Sequence, residues 1–166
     1  MKCILSQPLH NNYGGLLQAY ALQKIVRDMG YDVVTDIGET NDMALPLRRR
    51  MRLQRKHISK RLRGKRPATP LRLHFPTQEQ LDRVNENTKR FVHKHITTVK
   101  FITQGRRPSD EMQNQFDTFI VGSDQVWRSE YSYIPNYFLD FAELRKGIKR
   151  ISYAASFGIS EWAFPP

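Results

Sequence analysis

Apolar positions along this chain switch between two periods. Lys2–Gln7 (KCILSQ) is a short apolar run and reads as a buried strand. Pro8–Gly15 (PLHNNYGG) is dense in turn formers and reads as a loop. From there Leu16, Ala19, Leu22, Ile25, Val26 and Met29 recur at helical spacing, and Gly30 stands at the usual place of a helix stop. Tyr31–Ile37 (YDVVTDI) returns to a strand. Strand, glycine-bearing turn, helix, glycine and strand make a βαβ unit, which implies a parallel pair joined by a right-handed crossover.

Further along, Leu47, Met51, Ile58 and Leu62 follow one another at spacings of 4, 7 and 4 residues. They make a narrow apolar stripe on a helix whose remaining surface is Lys and Arg, ended by Gly64, Pro67 and Pro70. Thr77, with Glu79 and Gln80 close behind, opens a second helix that runs to about His95, with Leu81, Val84, Thr88, Phe91 and His95 on one side. Thr97–Thr103 reads as a strand and Pro108–Gln115 as a short helix. Phe116–Val121 (FDTFIV) is a strand that runs into the polar loop Gly122–Trp127 (GSDQVW). Tyr137–Phe141 is a short apolar segment, and Lys149–Ser156 is the last strand, ending at Phe157–Gly158. The alternation predicts an α/β domain with a Rossmann-like, mostly parallel sheet.

A length of 166 residues suits one compact domain. With 39% hydrophobic and 26% charged residues, the chain is neither wholly disordered nor collagen-like. No stretch approaches the roughly 18 apolar residues of a membrane span, and the first strand is too short for a signal-peptide core, so a cytoplasmic protein is expected. The single Cys3 excludes a disulfide framework and a cysteine-cluster metal site.

The net charge of +11 changes the picture only locally. Twelve of the 27 Lys and Arg lie between Met43 and Gln78, where there is no Asp or Glu; the rest of the chain holds fifteen basic against 16 acidic residues. The protein therefore reads as a near-neutral domain, residues 1–166, with a basic helical insertion at about 43–76. A solvated charged face is the simplest reading of that insertion. A second is peripheral contact of residues 47–66 with anionic membrane, at about 1 kcal/mol per basic side chain. The segment lacks the aromatic interleaving of single-strand binders, which argues against nucleic acid.

In open α/β sheets ligands bind beyond the carboxyl ends of the strands, so three polar loops are expected on one edge: His10–Gly15, Gly122–Trp127 and Ser156–Gly158. Gly14 and Gly15 at a helix start suit a phosphate or carboxylate, or simply make a tight turn. There is no GxGxxG and no GxxxxGK[ST]. Ser123, Asp124 and Gln125 can hold sugar hydroxyls and Trp127 can stack on a sugar face; equally, the first two can cap a turn while Trp127 fills the core. His93 and His95 diverge on a helix and form no metal pair. His10 is the one histidine in a ligand-side loop and a candidate for proton transfer or anion contact, and Asp124 stands beside it as a catalytic candidate. Cys3 reads as a small buried residue.

Asn12-Tyr13-Gly14-Gly15-Leu16-Leu17-Gln18-Ala19-Tyr20-Ala21-Leu22-Gln23 resembles the opening of the polysaccharide pyruvyl transferase family. Phe119–Trp127 (FIVGSDQVW), Tyr137–Phe141 (YFLDF) and Ile151–Gly158 (ISYAASFG) resemble later blocks of that family in the same order. The resemblance implies transfer of pyruvate from phosphoenolpyruvate to a pair of sugar hydroxyls as a ketal, with release of phosphate, in surface glycan synthesis. It implies no metal and no cofactor beyond phosphoenolpyruvate as donor substrate, and a sugar or lipid-linked glycan as acceptor. It also implies a GT-B-like architecture with the active site between two Rossmann-like halves. Members are usually at least twice as long, so this chain is expected to be the N-terminal half, with the C-terminal domain absent and activity alone in question. His10, Asn12, Tyr13, Gly14, Gly15, Ser123, Asp124, Gln125 and Trp127 are then the expected lining of the acceptor side. Two alternatives stand beside this reading: a GT-B glycosyltransferase using a sugar nucleotide, and a non-catalytic α/β module that binds membrane or nucleic acid.

Overall fold

The computed structural model describes residues 1–10, 12–37, 55, 78–102, 107–128 and 133–159. The chain divides into two compact units, Met1–Thr40 with Asn85–Pro166, and Asn41–Val84. In the second unit the described residues are Arg55 and helix α2 (Gln78–Val84). The basic helix expected at 47–66, and the membrane contact assigned to it, lie outside the described residues apart from an exposed, helical Arg55.

The first unit runs β1 (Lys2–Leu5), α1 (Tyr13–Asp28), β2 (Val33–Asp36), α3 (Glu86–His95), β3 (Thr98–Val99), α4 (Asp110–Asn114), β4 (Thr118–Asp124), α5 (Ile134–Tyr137), a 3₁₀ turn (Asp140–Ala142) and β5 (Lys149–Ala155). The strands form one sheet in the order β3-β2-β1-β4-β5, parallel at every pairing. This is the Rossmann-like sheet expected from the alternation. Between β1 and β4 the chain direction across the sheet reverses, because β1 continues to β2 on one side while β4 continues to β5 on the other.

Side chains alternate across the sheet as the strand period requires. Cys3, Leu5, Phe119 and Val121 pack on one face with Phe101, Phe116 and Phe141. The rings meet edge-on or tilted; Phe119 lies 5.0 Å from Phe141 at 87° and 5.2 Å from Phe101. Such pairs add about 0.5–1.5 kcal/mol each beyond the area they bury. Ile4, Val33 and Ile120 pack on the opposite face with Leu22 and Val26 of α1. Leu16 and Ala19 of α1 continue toward Ile96 and α3.

The helix α1 buries Leu16, Ala19, Leu22 and Val26, as expected, but Ile25 and Met29 are 48% and 67% exposed and Gln23 takes their place inside. At about 100° per residue, Ile25 and Met29 lie well round from the centre of the buried stripe, while Gln23 lies within it. Gln23 is tolerated there because its amide is fully used. Its Nε2 donates to Thr35 Oγ1 (2.8 Å) and Thr97 O (2.7 Å), and its Oε1 accepts from Thr97 N (2.9 Å) and Arg27 Nη2 (3.0 Å). One side chain thus ties α1 to β2 and to the residue that precedes β3.

Helix α1 begins at Tyr13, so Tyr13–Gly15, read from the sequence as loop, are its first turn. Three further boundaries differ from expectation. The single helix ending near His95 is interrupted at Asn85, whose carbonyl accepts from both Thr88 Oγ1 and Lys89 N; its proposed start at Thr77 lies outside the described residues. Val84, expected on the apolar side, is 71% exposed. The third strand is two residues long rather than seven, because the buried Asp36 Oδ1 accepts from Phe101 N (2.8 Å) and Ile102 N (3.3 Å) where a longer ladder would have run. The fourth strand begins at Thr118 and extends through Asp124, so Gly122, Ser123 and Asp124 are its end rather than a loop after it. Cys3 is fully buried, and burial first, with Asp36 adding to it, pushes its thiol well above the usual range. No helix among the described residues is long and apolar enough to cross a membrane.

Candidate functional site

All five strands run parallel, so the segments that follow them emerge on one edge. The loop after β1 is drawn back across the sheet top: Leu9 N donates to Ile37 O, and Tyr137 Oη donates to Ser6 O at 3.3 Å. His10 follows, half-buried. Its Nδ1 lies 3.1 Å from Pro8 O, which can only accept, so Nδ1 carries the proton and Nε2 of the neutral ring is an acceptor. Burial lowers the His10 pKa, against a smaller opposing effect of that bond, so the ring is neutral at pH 7.

Asn12 is the N-cap of α1, and its Oδ1 accepts from Gly15 N at 3.1 Å. A Cβ on Gly15 would lie 3.2 Å from the Asn12 amide nitrogen, and one on Gly14 would lie 3.4 Å from Asn12 Oδ1. The glycine pair therefore makes room for the cap, and Gly15 N–H is already committed to it. Tyr13, 67% exposed, opens the helix on this edge.

The end of β4 is fastened to the end of β5. Gly122 pairs with Tyr153, and at φ +131° a Cβ there would sit 1.9 Å from Tyr153 O. Asp124, itself left-handed at φ 73°, accepts through its carbonyl from Val126 N (2.9 Å), Ser156 N (2.8 Å) and Ser156 Oγ (3.3 Å). Trp127 N returns a bond to Ser156 O. Gly158 (φ +65°) closes over Gln125, whose Oε1 accepts from Arg128 Nη1 at 3.0 Å. The side chains of Ser123, Asp124 and Gln125 remain half-buried on the edge. Their carboxylate, hydroxyl and amide can each hold a ligand hydroxyl.

Trp127 is committed differently. Its Nε1 donates to Tyr137 O (3.0 Å), Phe138 stacks on it at 5.3 Å and 20°, and Phe157 leans against it at 5.4 Å. It buttresses the loops after β4 and β5. The structure thus brings the three expected loops to one edge, on either side of the switch between β1 and β4.

Arg128 supplies a positive charge beside Gln125 that sequence reasoning passed over. The signal was its place directly after FIVGSDQVW. Asp36, at the carboxyl end of β2, stands where dinucleotide-binding folds keep an acid for ribose. Here its Oδ1 is occupied by Phe101 N and Ile102 N and the residue is fully buried. Among the described residues no three His, Cys, Asp or Glu side chains are grouped to hold a metal.

Fold and site together define an α/β domain of Rossmann-like type, with a polar edge at its topological switch. The polysaccharide pyruvyl transferase family model matches residues 12–163, nearly the whole chain, and the chain belongs to that family. No curated protein and no solved structure matches it.

Proposed function

We propose that this protein carries the acceptor side of a pyruvyl transferase that moves pyruvate from phosphoenolpyruvate to two hydroxyls of a sugar in a surface glycan. The observation that supports it most is the family match over 12–163, which spans the polar edge built by Asn12–Gly15 and Ser123–Trp127. A GT-B-like arrangement would complete the cleft with a second Rossmann-like domain holding the donor. The proposal places the protein in the cytoplasm, at the inner face of the membrane when the acceptor is lipid-linked, with residues 47–66 as the peripheral contact.

In this reading one acceptor hydroxyl adds to C2 of phosphoenolpyruvate while C3 takes up a proton and becomes a methyl. The second hydroxyl then displaces phosphate at C2, and its proton leaves with the phosphate or a base. His10, neutral with Nε2 as acceptor, takes a hydroxyl proton. Asp124, Ser123 and Gln125 orient the sugar, with Tyr13 flanking it at the helix start. Asp36 weighs against the sugar-nucleotide alternative, since the acid at the end of β2 is fully buried and its Oδ1 is held by two backbone N–H groups.

The test is phosphate release from phosphoenolpyruvate with and without glycan or lipid-linked acceptors. Acceptor-dependent release that His10→Gln lowers by about 10²-fold or more is expected. Binding of UDP-sugars with no acceptor-dependent release from phosphoenolpyruvate would overturn the proposal.

A further inference from the structure

At the edge of the sheet where the strands begin, opposite the polar edge, α1 and α3 leave a cleft of about 290 Å³ between them. Tyr20, Gln23, Lys24, Arg27, Lys94 and His95 line it. Among the described residues Asp28 is the one acid there, and it is matched by Lys24 at 2.6 Å. Among the same residues Arg27 and Lys94 put two positive charges without an acidic partner into one concave space.

Arg27 is held in place by two hydrogen bonds. Its Nη2 donates to Gln23 Oε1 (3.0 Å) and to Thr97 Oγ1 (2.9 Å), which fixes the plane of the guanidinium. The opposite side of the fork is left for an anion. His95 is fixed by ring contacts, 4.9 Å from Phe91 and 5.9 Å from Tyr20.

Both helices end here, and each C-terminus carries about half a negative charge. Four of the carbonyls that bear it are already bonded within the chain. Ile25 O accepts from Met29 N, Arg27 O from Gly30 N, Val26 O from Tyr31 N and Val92 O from Ile96 N. Two full cations outweigh what is left.

We propose that this cleft binds a phosphate group, with Arg27 and Lys94 as its charged contacts and His95 and Tyr20 as its rigid wall. The volume admits a phosphomonoester or a diphosphate together with part of what it is attached to. A soluble phosphate ester and a phospholipid headgroup offer the same chemistry, and the experiment separates them. The site does not depend on the pyruvyl-transfer reading, because it lies at the other edge of the sheet and its binding needs neither donor chemistry nor acceptor.

The probe is pyrophosphate, titrated into the full chain while the ring signals of the five histidines are followed by NMR. His95→Gln assigns the reporter in the cleft, and His10 reports the opposite edge. Saturable movement of the His95 signal is expected, weakened about 5- to 10-fold by Lys94→Gln, a side chain whose loss breaks no hydrogen bond or ion pair among the described residues. Arg27→Lys should weaken it as much while keeping the charge, because the fork is lost. Vesicles with phosphatidic acid, compared with pure phosphatidylcholine vesicles, form the second arm. Lys94-dependent binding to the acidic vesicles alone, with no response to pyrophosphate, assigns the phosphate to a lipid headgroup. Absence of saturable His95 movement in both arms, or binding that Lys94→Gln and Arg27→Lys leave unchanged, overturns the proposal.

Discussion

Gln23→Met isolates the worth of one buried amide. Methionine has nearly the length and volume of glutamine, so little cavity opens and the change is almost purely polar. The fully buried Thr35 hydroxyl loses the donor at 2.8 Å, Thr97 N loses its acceptor at 2.9 Å, and Arg27 loses one of its two. Thr97 O loses Gln23 Nε2 but keeps Thr35 N, so it is not orphaned. A buried polar group left without its partner costs about 1–3 kcal/mol. Thr97 and Arg27 are exposed enough for water to replace part of their loss, and the buried thioether returns a little. The balance is a destabilisation of about 2 kcal/mol. With a urea dependence of about 2 kcal/mol per molar, the unfolding midpoint should fall by about 1 M. Gln18→Met, at an exposed position of the same helix, should leave it within about 0.25 M. If the two variants unfold at the same urea concentration, Gln23 does not tie α1 to the sheet as argued.

Three other outcomes are open to measurement. Gly122→Ala places a Cβ against Tyr153 O in left-handed backbone, so β4 and β5 must part; a loss of about 3 kcal/mol or more, seen as a melting temperature lower by roughly 6–12 °C, is expected, and a change below about 2 °C would contradict it. The buried Cys3 thiol should resist alkylation at pH 8 in the folded protein and react only on unfolding, as quantified by thiol-reagent kinetics against a denatured control. Asp117 lies far below its usual pKa, held first by Lys2, then by the Thr118 hydroxyl and the N-terminal ammonium. A depressed carboxylate adds stability above its unfolded pKa and loses it as pH falls through the folded one, so Asp117→Asn should be less stable than the parent at pH 7 and converge with it in strong acid, as thermal melts across that range would reveal.

Local pattern was enough for β1, α1 and β2, because a period of 3.6 between two short apolar runs is a property of neighbours. It was also enough for the polar edge. Once strands and helices alternate, parallel order and loops at the carboxyl ends follow; Asn12–Gly15 forms the cap and first turn of α1 beside the first loop, and Gly122–Trp127 spans the end of β4 and the loop after it. What each candidate does there was not legible. Trp127 carries the same letters whether it stacks on a sugar or on Phe138, and only the position of Phe138 and the Tyr137 carbonyl decides it.

The sequence by itself determined the alternation of elements, the burial of Cys3 and the family blocks, all of which rest on residues close together in the chain. Tertiary structure alone decided that β1 lies between β2 and β4, that Gln23 goes inside while Ile25 and Met29 stay out, and that Asp36 ends the third strand early. The physical reason is separation. Gln23 can be buried because Thr97, 74 residues away, completes its hydrogen bonds, and Asp36 because Phe101 lies 65 residues on. Polar burial is affordable only with such partners, and no local period announces where a distant partner will be.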